Sequence, residues 1–210
     1  MIIRQIEVGN FSIFSYLVGD EQAGECLLID PSDDHDLLLK EAKSHNLAVK
    51  YIVNTHAHID HSMGNREMVR RTGAKVIIHE ADAEGLLDTP RDILEMFGAE
   101  APAPADILVS DGSLITVGNV SLQAIHTPGH TPGGMCLYSD GMVFTGDTLF
   151  VGSVGRTDFP GGSYAELERS IRTKLYTLPG DTVVYPGHNY GITPTSTIQY
   201  ERRSNAVFRG

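Results

Sequence analysis

The distribution of apolar residues divides the chain into strand-like and helix-like segments. β-branched and aromatic runs bounded by Gly, Asp or Pro predict strands at 2–8, 11–18, 25–29, 49–53, 75–78, 113–117, 120–126, 134–138, 142–145 and 182–185. Apolar residues at helical spacing predict helices at 34–44, 163–175 and 196–203, with shorter ones beginning near residue 60, at 79–82 and at 93–97. The proline-rich segment 88–106 predicts an irregular, lid-like connection.

The order of these elements indicates the architecture. Strands, a helix, a strand and a helix are followed by the same succession again, with hairpin turns at Gly118-Asn119 and Asp140-Gly141 in the second half. Two sheets packed face to face, each with helices on its outer face, would bury every apolar surface. We therefore expect an α/β (α+β) four-layer αββα sandwich, formed by a single domain spanning residues 1–210.

Composition narrows the range of partners. The formal net charge is -11 and the isoelectric point is near 5.1, with no run of Lys or Arg, so we expect no nucleic acid partner. Cys26 and Cys136 lie among apolar neighbours, which favours two core thiols in a reducing compartment. The sequence has neither an apolar leader nor a span of about 20 apolar residues, so we expect a cytoplasmic protein that does not bind a membrane.

The richest chemistry lies in one turn, Thr55-His56-Ala57-His58-Ile59-Asp60-His61, directly after the apolar run Tyr51-Ile52-Val53. On an extended segment His56 and His58 point to the same side. Where the chain turns into a helix, Asp60 and His61 diverge towards a second point nearby. A polar loop could contain these residue types, but burying so many imidazoles and carboxylates together is costly without a cation. The turn therefore suggests two metal ions.

Three further metal-type residues occupy glycine- or proline-rich loops at predicted strand ends. They are His130 in Thr127-Pro128-Gly129-His130-Thr131-Pro132-Gly133, Asp147 in Phe144-Thr145-Gly146-Asp147-Thr148, and His188 in Tyr185-Pro186-Gly187-His188-Asn189-Tyr190. Glycine allows the backbone to approach a site closely, so each loop can direct one side chain. Together with the histidine-rich turn they predict one metal centre.

In this order, the motifs resemble the metallo-β-lactamase superfamily from about residue 12 onwards. The segments 127–134, 144–150 and 155–162 look like the glyoxalase II group, especially its short single-domain members. The resemblance implies the metallo-β-lactamase fold. It also implies a first metal on His56, His58 and His130, a second on Asp60, His61 and His188, and Asp147 as the bridge between them.

This ligand set suits two divalent metal ions, for which we expect Zn²⁺, although the same residues accept Fe or Mn. A hydroxide bridging the ions, oriented by Asp60 as the catalytic carboxylate, could attack a thioester carbonyl. A thiolate then leaves without strong acid assistance, since thiols have a pKa near 8.5. We therefore expect a thioesterase of glyoxalase II type, similar to hydroxyacylglutathione hydrolases, acting on a small-molecule thioester. Candidates for contacting the substrate are Arg156, Tyr190, Arg202 and Arg203.

Three functions other than a thioesterase would each require a different feature of the sequence. Persulfide dioxygenases resemble the chain at Gly155-Arg156-Thr157-Asp158-Phe159, and in them a single iron is held by residues corresponding to His56, His130 and Asp147. These enzymes tend to lack the glycine of Pro186-Gly187-His188, which is typical of the short hydrolases, so the hydrolase is favoured. A nuclease conflicts with the acidic balance. A binding scaffold with a relict site would lack ligands, and none of the seven is missing.

One departure from full-length glyoxalase II concerns the thiol. Only 22 residues follow His188. We therefore expect no counterpart of the C-terminal helical domain that provides basic contacts to glutathione in those enzymes, which leaves the thiol of the substrate open.

Overall fold

A computed structural model describes residues 1–208. The first sheet contains six strands in sequential order: β1 (Ile2–Val8), β2 (Ile13–Asp20), β3 (Glu25–Ile29), β4 (Ala48–Val53), β5 (Lys75–His79) and β6 (Ile107–Val109). The first three strands pair antiparallel, and β3 to β6 pair parallel. Parallel strands require crossover connections, and here these contain helices that pack on one face of the sheet.

The second sheet pairs in the order β14-β13-β10-β9-β8-β7. Its strands are β7 (Leu114–Val117), β8 (Val120–His126), β9 (Met135–Ser139), β10 (Met142–Gly146), β13 (Val183–Pro186) and β14 (Ser196–Thr197), and between them β11 (Leu149–Phe150) and β12 (Ser153–Val154) form a separate hairpin. The two predicted hairpin turns join β7 to β8 and β9 to β10, and their glycines adopt positive φ. β10 and β13 are parallel.

The helices are short and lie outside the sheets. They are α1 (His35–Ser44), α2 (Ile59–Ser62), α3 (Asn65–Thr72), α4 (Arg91–Phe97), α5 (Tyr164–Ser170) and α6 (Ile198–Ser204), with 3₁₀ turns at Glu80–Asp82 and Ala206–Phe208 and a π-helical segment at Ile171–Leu175. Among residues 1–208, no helix has the length and apolar character needed to cross a bilayer.

Three apolar layers hold this arrangement together. The central layer lies between the sheets and includes Tyr16 and Phe144, whose ring centroids are 5.0 Å apart. One outer layer lies between the first sheet and the helices α1 and α3. The other lies between the second sheet and α5, the π-helical segment and α6. This confirms the predicted αββα sandwich. Cys26 and Cys136 are unpaired and buried in the outer layers, and burial raises their pKa to about 12 and about 11.

The structure differs from the prediction in the length of one helix and in four short strands. The predicted helix at 163–175 ends as an α-helix at Ser170, because the next turn widens and Tyr176 N donates to Ile171 O, five residues earlier. The strands β6, β11, β12 and β14 were not predicted, since segments of two or three residues are too short to display a period.

The loops rich in metal-type residues gather at one edge of the sandwich. Asp30 follows β3, His56 follows β4, Asp147 follows β10 and His188 follows β13. Because these strands belong to parallel pairs, their carboxyl ends open onto a common edge, the usual position for ligand sites in α/β sheets.

Candidate metal centre

The turn after β4 places its metal-type residues on two different backbone segments. His58 keeps an extended backbone, with ψ 144°, and the next residue begins the one-turn helix α2. Asp60 and His61 therefore project from a helix, whereas His56 and His58 precede it. The segment predicted as a single helix from about residue 60 is interrupted before α3, at Gly64, where a Cβ would lie 2.0 Å from Pro31 O.

The structure brings all seven predicted ligands together. Within the described chain, their donor atoms form three overlapping groups whose members lie within 4.8 Å of one another: His56, His58 and His130; His56, His61 and Asp147; Asp60, His61 and His188. Asp147 lies between the first and third groups. Its carboxylate oxygens are 3.5 Å from His130 Nε2, 3.3 Å from His61 Nε2 and 3.4 Å from His188 Nε2.

Four of the five imidazoles bond outwards through Nδ1 and turn Nε2 inwards. His130 Nδ1 faces Arg156 O at 2.7 Å, and His188 Nδ1 faces Phe11 O at 2.9 Å. His61 Nδ1 lies 3.0 Å from Asp30 Oδ2. A carbonyl or carboxylate oxygen only accepts, so each Nδ1 carries the proton.

The fourth, His56, is oriented through Thr55. Thr55 Oγ1 donates to Asp30 Oδ2 over 2.7 Å and has a single proton, so it accepts from His56 Nδ1 at 3.0 Å. His56 Nε2 is then a bare lone pair. This outer set of oxygen partners is the arrangement that orients histidines around protein-bound metals.

The inward atoms satisfy a test of fit for a cation. His56 Nε2 and Asp147 Oδ1 are buried and have no hydrogen-bond partner in residues 1–208. His58 Nδ1 and His130 Nε2 face each other at 2.9 Å, and His61 Nε2 and His188 Nε2 at 3.1 Å. Buried polar atoms without partners and opposed lone pairs are costly unless a proton or a metal lies between them. Imidazole nitrogen and carboxylate oxygen suit Zn²⁺, Fe or Mn.

Burial and neighbouring charges shift the pKa values of the cluster residues in different directions. Burial, with the neighbouring imidazoles, lowers the pKa of His56, and burial with His130 lowers the pKa of His58 to about 4. Both imidazoles are therefore neutral at pH 7, the form that can bind a metal ion. Burial opposes the charges of His61 and Asp147. Their mutual attraction prevails: Asp147 and Asp60 raise the pKa of His61, and His61 and His188 lower the pKa of Asp147.

Aromatic residues flank the opening of the cluster. Phe159 is 42% exposed, and its ring stands edge-on to His58, with centroids 5.4 Å apart. On the other side Tyr190, 60% exposed, stacks on His188 at 4.5 Å. The predicted contact Arg156 is bound within its own loop, because its guanidinium pairs with Asp158 at 2.6 Å and lies 4.0 Å from the Phe159 ring centroid.

The remaining basic candidates lie on α6. Arg202 donates to Tyr176 O, and Arg203 is exposed.

The αββα sandwich and the order of the metal-type residues along the chain agree with the family that the sequence matches. The model of the metallo-β-lactamase superfamily matches residues 8–188, which include every residue of the cluster. This chain belongs to the metallo-β-lactamase superfamily.

Relatives within the superfamily include both hydrolases and an oxygenase. A hydroxyacylglutathione hydrolase of Polaromonas is 37% identical over 90% of this chain and 67% of its own length. The human mitochondrial persulfide dioxygenase ETHE1 is 34% identical over 98% of this chain and 75% of its own length. Among solved structures, TTHA1623 in a di-iron-bound form is 31% identical, with a TM-score of 0.85 over 97% of this chain and 99% of that one.

Two buried carboxylates, those of Asp30 and Asp82, hold the loops of the metal-type cluster in place. Neither residue was predicted from the sequence. Asp30 is 1% exposed, adopts φ 47°, and accepts from Thr55 N and Oγ1 besides His61. A signal for it exists in the sequence, since Asp30 directly follows an apolar strand, as His56 nearly does.

Asp82 ties two ligand loops together. Its carboxylate accepts from Ala57 N at 3.0 Å, Thr131 Oγ1 at 2.7 Å and Gly133 N at 2.6 Å. It therefore connects the loop of His56 and His58 to the loop of His130. Its local sequence, His79-Glu80-Ala81-Asp82, gives no indication of this role.

Proposed function

We propose that the protein is a metal-dependent thioester hydrolase of the hydroxyacylglutathione hydrolase type, with zinc as the expected ion. The observation that carries the proposal is the position of Asp147. Its carboxylate lies within 3.5 Å of imidazole nitrogens from both the His130 group and the His188 group. A carboxylate in that position can serve two metal sites at once, as two-metal hydrolysis requires.

The residues of the cluster have separate roles in the proposed reaction. Two divalent ions held by the seven side chains would provide an activated water at neutral pH and a Lewis acid for the carbonyl. Asp60 is the most exposed carboxylate of the cluster, with its side chain 25% exposed and Oδ2 at 3.6 Å from His188 Nε2. It is placed to accept a proton from the attacking water. A thiol with a pKa near 8.5 then leaves as thiolate, so the site needs no strong general acid.

Phe159 and Tyr190 define where a substrate would lie. The two rings flank the opening beside His58 and His188, so a thioester reaching the cluster passes between aromatic surfaces. We propose Tyr190 and Arg156 as substrate contacts. The ion pair with Asp158 holds the Arg156 guanidinium above the Phe159 ring. The Arg156 side chain is nevertheless 57% exposed.

The glycine at position 187 favours the binding of two metal ions rather than one. A Cβ at this position would lie 2.5 Å from Asp147 Oδ1, the oxygen nearer His61. Real Cβ atoms do not approach an oxygen so closely, so a side chain there would push the Asp147 carboxylate away from the His61 group. Glycine leaves that oxygen free to bind at the second position.

A persulfide dioxygenase is the second candidate. The observation in its favour is the 34% identity to human ETHE1 over 98% of this chain, together with the Gly155-Arg156-Thr157-Asp158-Phe159 loop. A single iron on His56, His130 and Asp147, a two-histidine, one-carboxylate set, would leave open positions for oxygen and a sulfur substrate.

One experiment separates the two activities. Protein purified aerobically is analysed for metal and assayed for thiolate release from S-D-lactoylglutathione and for oxygen uptake with glutathione persulfide. The hydrolase is expected to hold two divalent ions per chain and to cleave the thioester without oxygen uptake. Near-stoichiometric iron, at one per chain, with oxygen uptake and no thioester cleavage would overturn the proposal in favour of the dioxygenase.

A further inference from the structure

The C-terminal helix α6 contains a carboxylate buried in an apolar layer. Glu201 is 0% exposed, and its Oε1 has no hydrogen-bond partner among residues 1–208. A buried carboxylate without a cation is costly, and an apolar side chain would fill the space at lower cost if packing were its only purpose. A specific contact must therefore account for the acid at this position.

That contact is with the β11–β12 hairpin. Gly152 N, at the turn of the hairpin, donates to Glu201 Oε2 over 2.9 Å. Asn205 Nδ2 donates to the same oxygen over 2.8 Å and to Ser153 O over 3.0 Å. Ala206 N donates to Gly152 O over 3.3 Å. The end of α6 and the turn after it thus bind the hairpin at Gly152, in its turn, and at Ser153, the first residue of β12.

The hairpin leads directly into the metal centre at both ends. It begins two residues after Asp147 and ends before Gly155, whose missing Cβ would lie 1.9 Å from Asp147 O. The next residue, Arg156, presents the carbonyl that accepts from His130 Nδ1. Three residues later Phe159 stands against His58. A displacement of the hairpin would therefore be transmitted to a metal ligand and to the opening of the site.

We propose that Glu201 and Asn205 are positioning residues for the candidate metal centre. They fix the β11–β12 hairpin so that Arg156 O holds His130 and Phe159 lines the substrate path. The substrate-facing part of this inference rests on the proposed thioester hydrolase, whereas the part concerning His130 rests only on the metal centre. Glu201 is not among the metal-type groups, and the side-chain hydrogen bonds of Asn205 join it to Glu201, Ser153 and Val207.

The test compares variants of the full chain loaded with Zn²⁺. Glu201→Ala and Asn205→Ala remove the contact, whereas Glu201→Gln keeps an oxygen acceptor for Gly152 N and Asn205 Nδ2. Ile198→Val is the matched control, because it trims a fully buried side chain of the same helix and leaves every hydrogen bond to the hairpin in place. If Glu201→Ala fails to fold, Asn205→Ala and Glu201→Gln carry the test.

Two readouts do not depend on the reaction. Amide hydrogen exchange across residues 151–162 is expected to accelerate in both alanine variants and to stay near wild-type in Glu201→Gln and Ile198→Val. Zinc loss to a chelator is expected to be about 10-fold faster in the alanine variants, the lower end of the usual effect of removing support from a metal ligand. Unchanged exchange and unchanged zinc loss in both alanine variants, or equal effects in Ile198→Val, would overturn the proposal.

A third readout addresses the substrate path. With the thioester substrate, KM is expected to rise by about 10-fold in the alanine variants, because Phe159 is misplaced, while kcat falls less. If the wild-type chain does not cleave thioesters, the proposed function fails. The exchange and zinc measurements still decide the positioning role, so the two failures are distinguishable.

Discussion

Asp30 Oδ2 lies 3.0 Å from His61 Nδ1, and both side chains are almost fully buried. The carboxylate fixes which imidazole nitrogen faces inwards, so His61 Nε2 points at His188 and Asp147. Asp30 also adopts φ 47°, a conformation that Asn tolerates as well as Asp does. The backbone at this position therefore permits a substitution that removes charge without adding strain.

We expect Asp30→Asn to weaken metal binding by about 10- to 100-fold, because the oxygen partner of His61 loses its charge. Competition against a chromophoric chelator measures the affinity. Asp140→Asn, in the exposed β9–β10 turn, is the charge-matched control. An affinity unchanged from wild-type would show that Asp30 does not orient His61.

Asp147→Ala should reduce bound metal at both positions and abolish turnover. The reason is that one carboxylate approaches His61, His130 and His188, so its removal takes a shared candidate ligand from both metal positions. Elemental analysis of the purified variant, beside Asp140→Ala, measures the loss. Unchanged metal content would refute the bridging role.

Gly187→Ala separates one-ion from two-ion binding. A Cβ 2.5 Å from Asp147 Oδ1 displaces that oxygen, so metal content is expected to fall from two ions to about one per chain. Gly141→Ala is the control, since it strains a turn at φ 80° but meets no atom within 4 Å. Two ions per chain in Gly187→Ala would argue against the importance of this glycine.

Asp82→Ala tests the connection between ligand loops. It leaves three donors, Ala57 N, Thr131 Oγ1 and Gly133 N, without their common acceptor. The free energy of unfolding of the metal-free protein is expected to fall by about 3 kcal/mol, as for other buried donors deprived of a partner. Urea denaturation measures it. Asp82→Asn retains one acceptor and should lose less, and a loss below about 1 kcal/mol in Asp82→Ala would contradict the assignment.

Much of the fold could be predicted because its strands are long enough to display a pattern. The bounds of β1, β3 and β8 agree with the apolar runs, and the glycines of the predicted hairpin turns adopt positive φ. The β11–β12 hairpin could not be predicted, since two-residue strands carry no period. Its position depends on hydrogen bonds to Glu201 and Asn205, some 50 residues away in the chain.

For the site, convergence of the seven metal-type residues was predictable, and their outer partners were not. His56 to His61 are adjacent in sequence, and glycine-rich loops mark His130, Asp147 and His188. The partners of these histidines include backbone oxygens such as Arg156 O and Phe11 O. A carbonyl oxygen is present in every residue, so only the tertiary structure reveals which one accepts.

The contact between His188 and Phe11 has a consequence for biosynthesis. His188 Nδ1 reaches Phe11 O across 177 residues, and Ile13 pairs with His188 as an isolated bridge. Closing so long a loop costs chain entropy, so contacts of this kind slow folding. On the ribosome, the turn at residues 55–61 emerges well before β13 is made, so an unfinished chain can hold metal only through an incomplete set of ligands. Loading with the final ions is therefore expected to follow synthesis of β13 rather than accompany it.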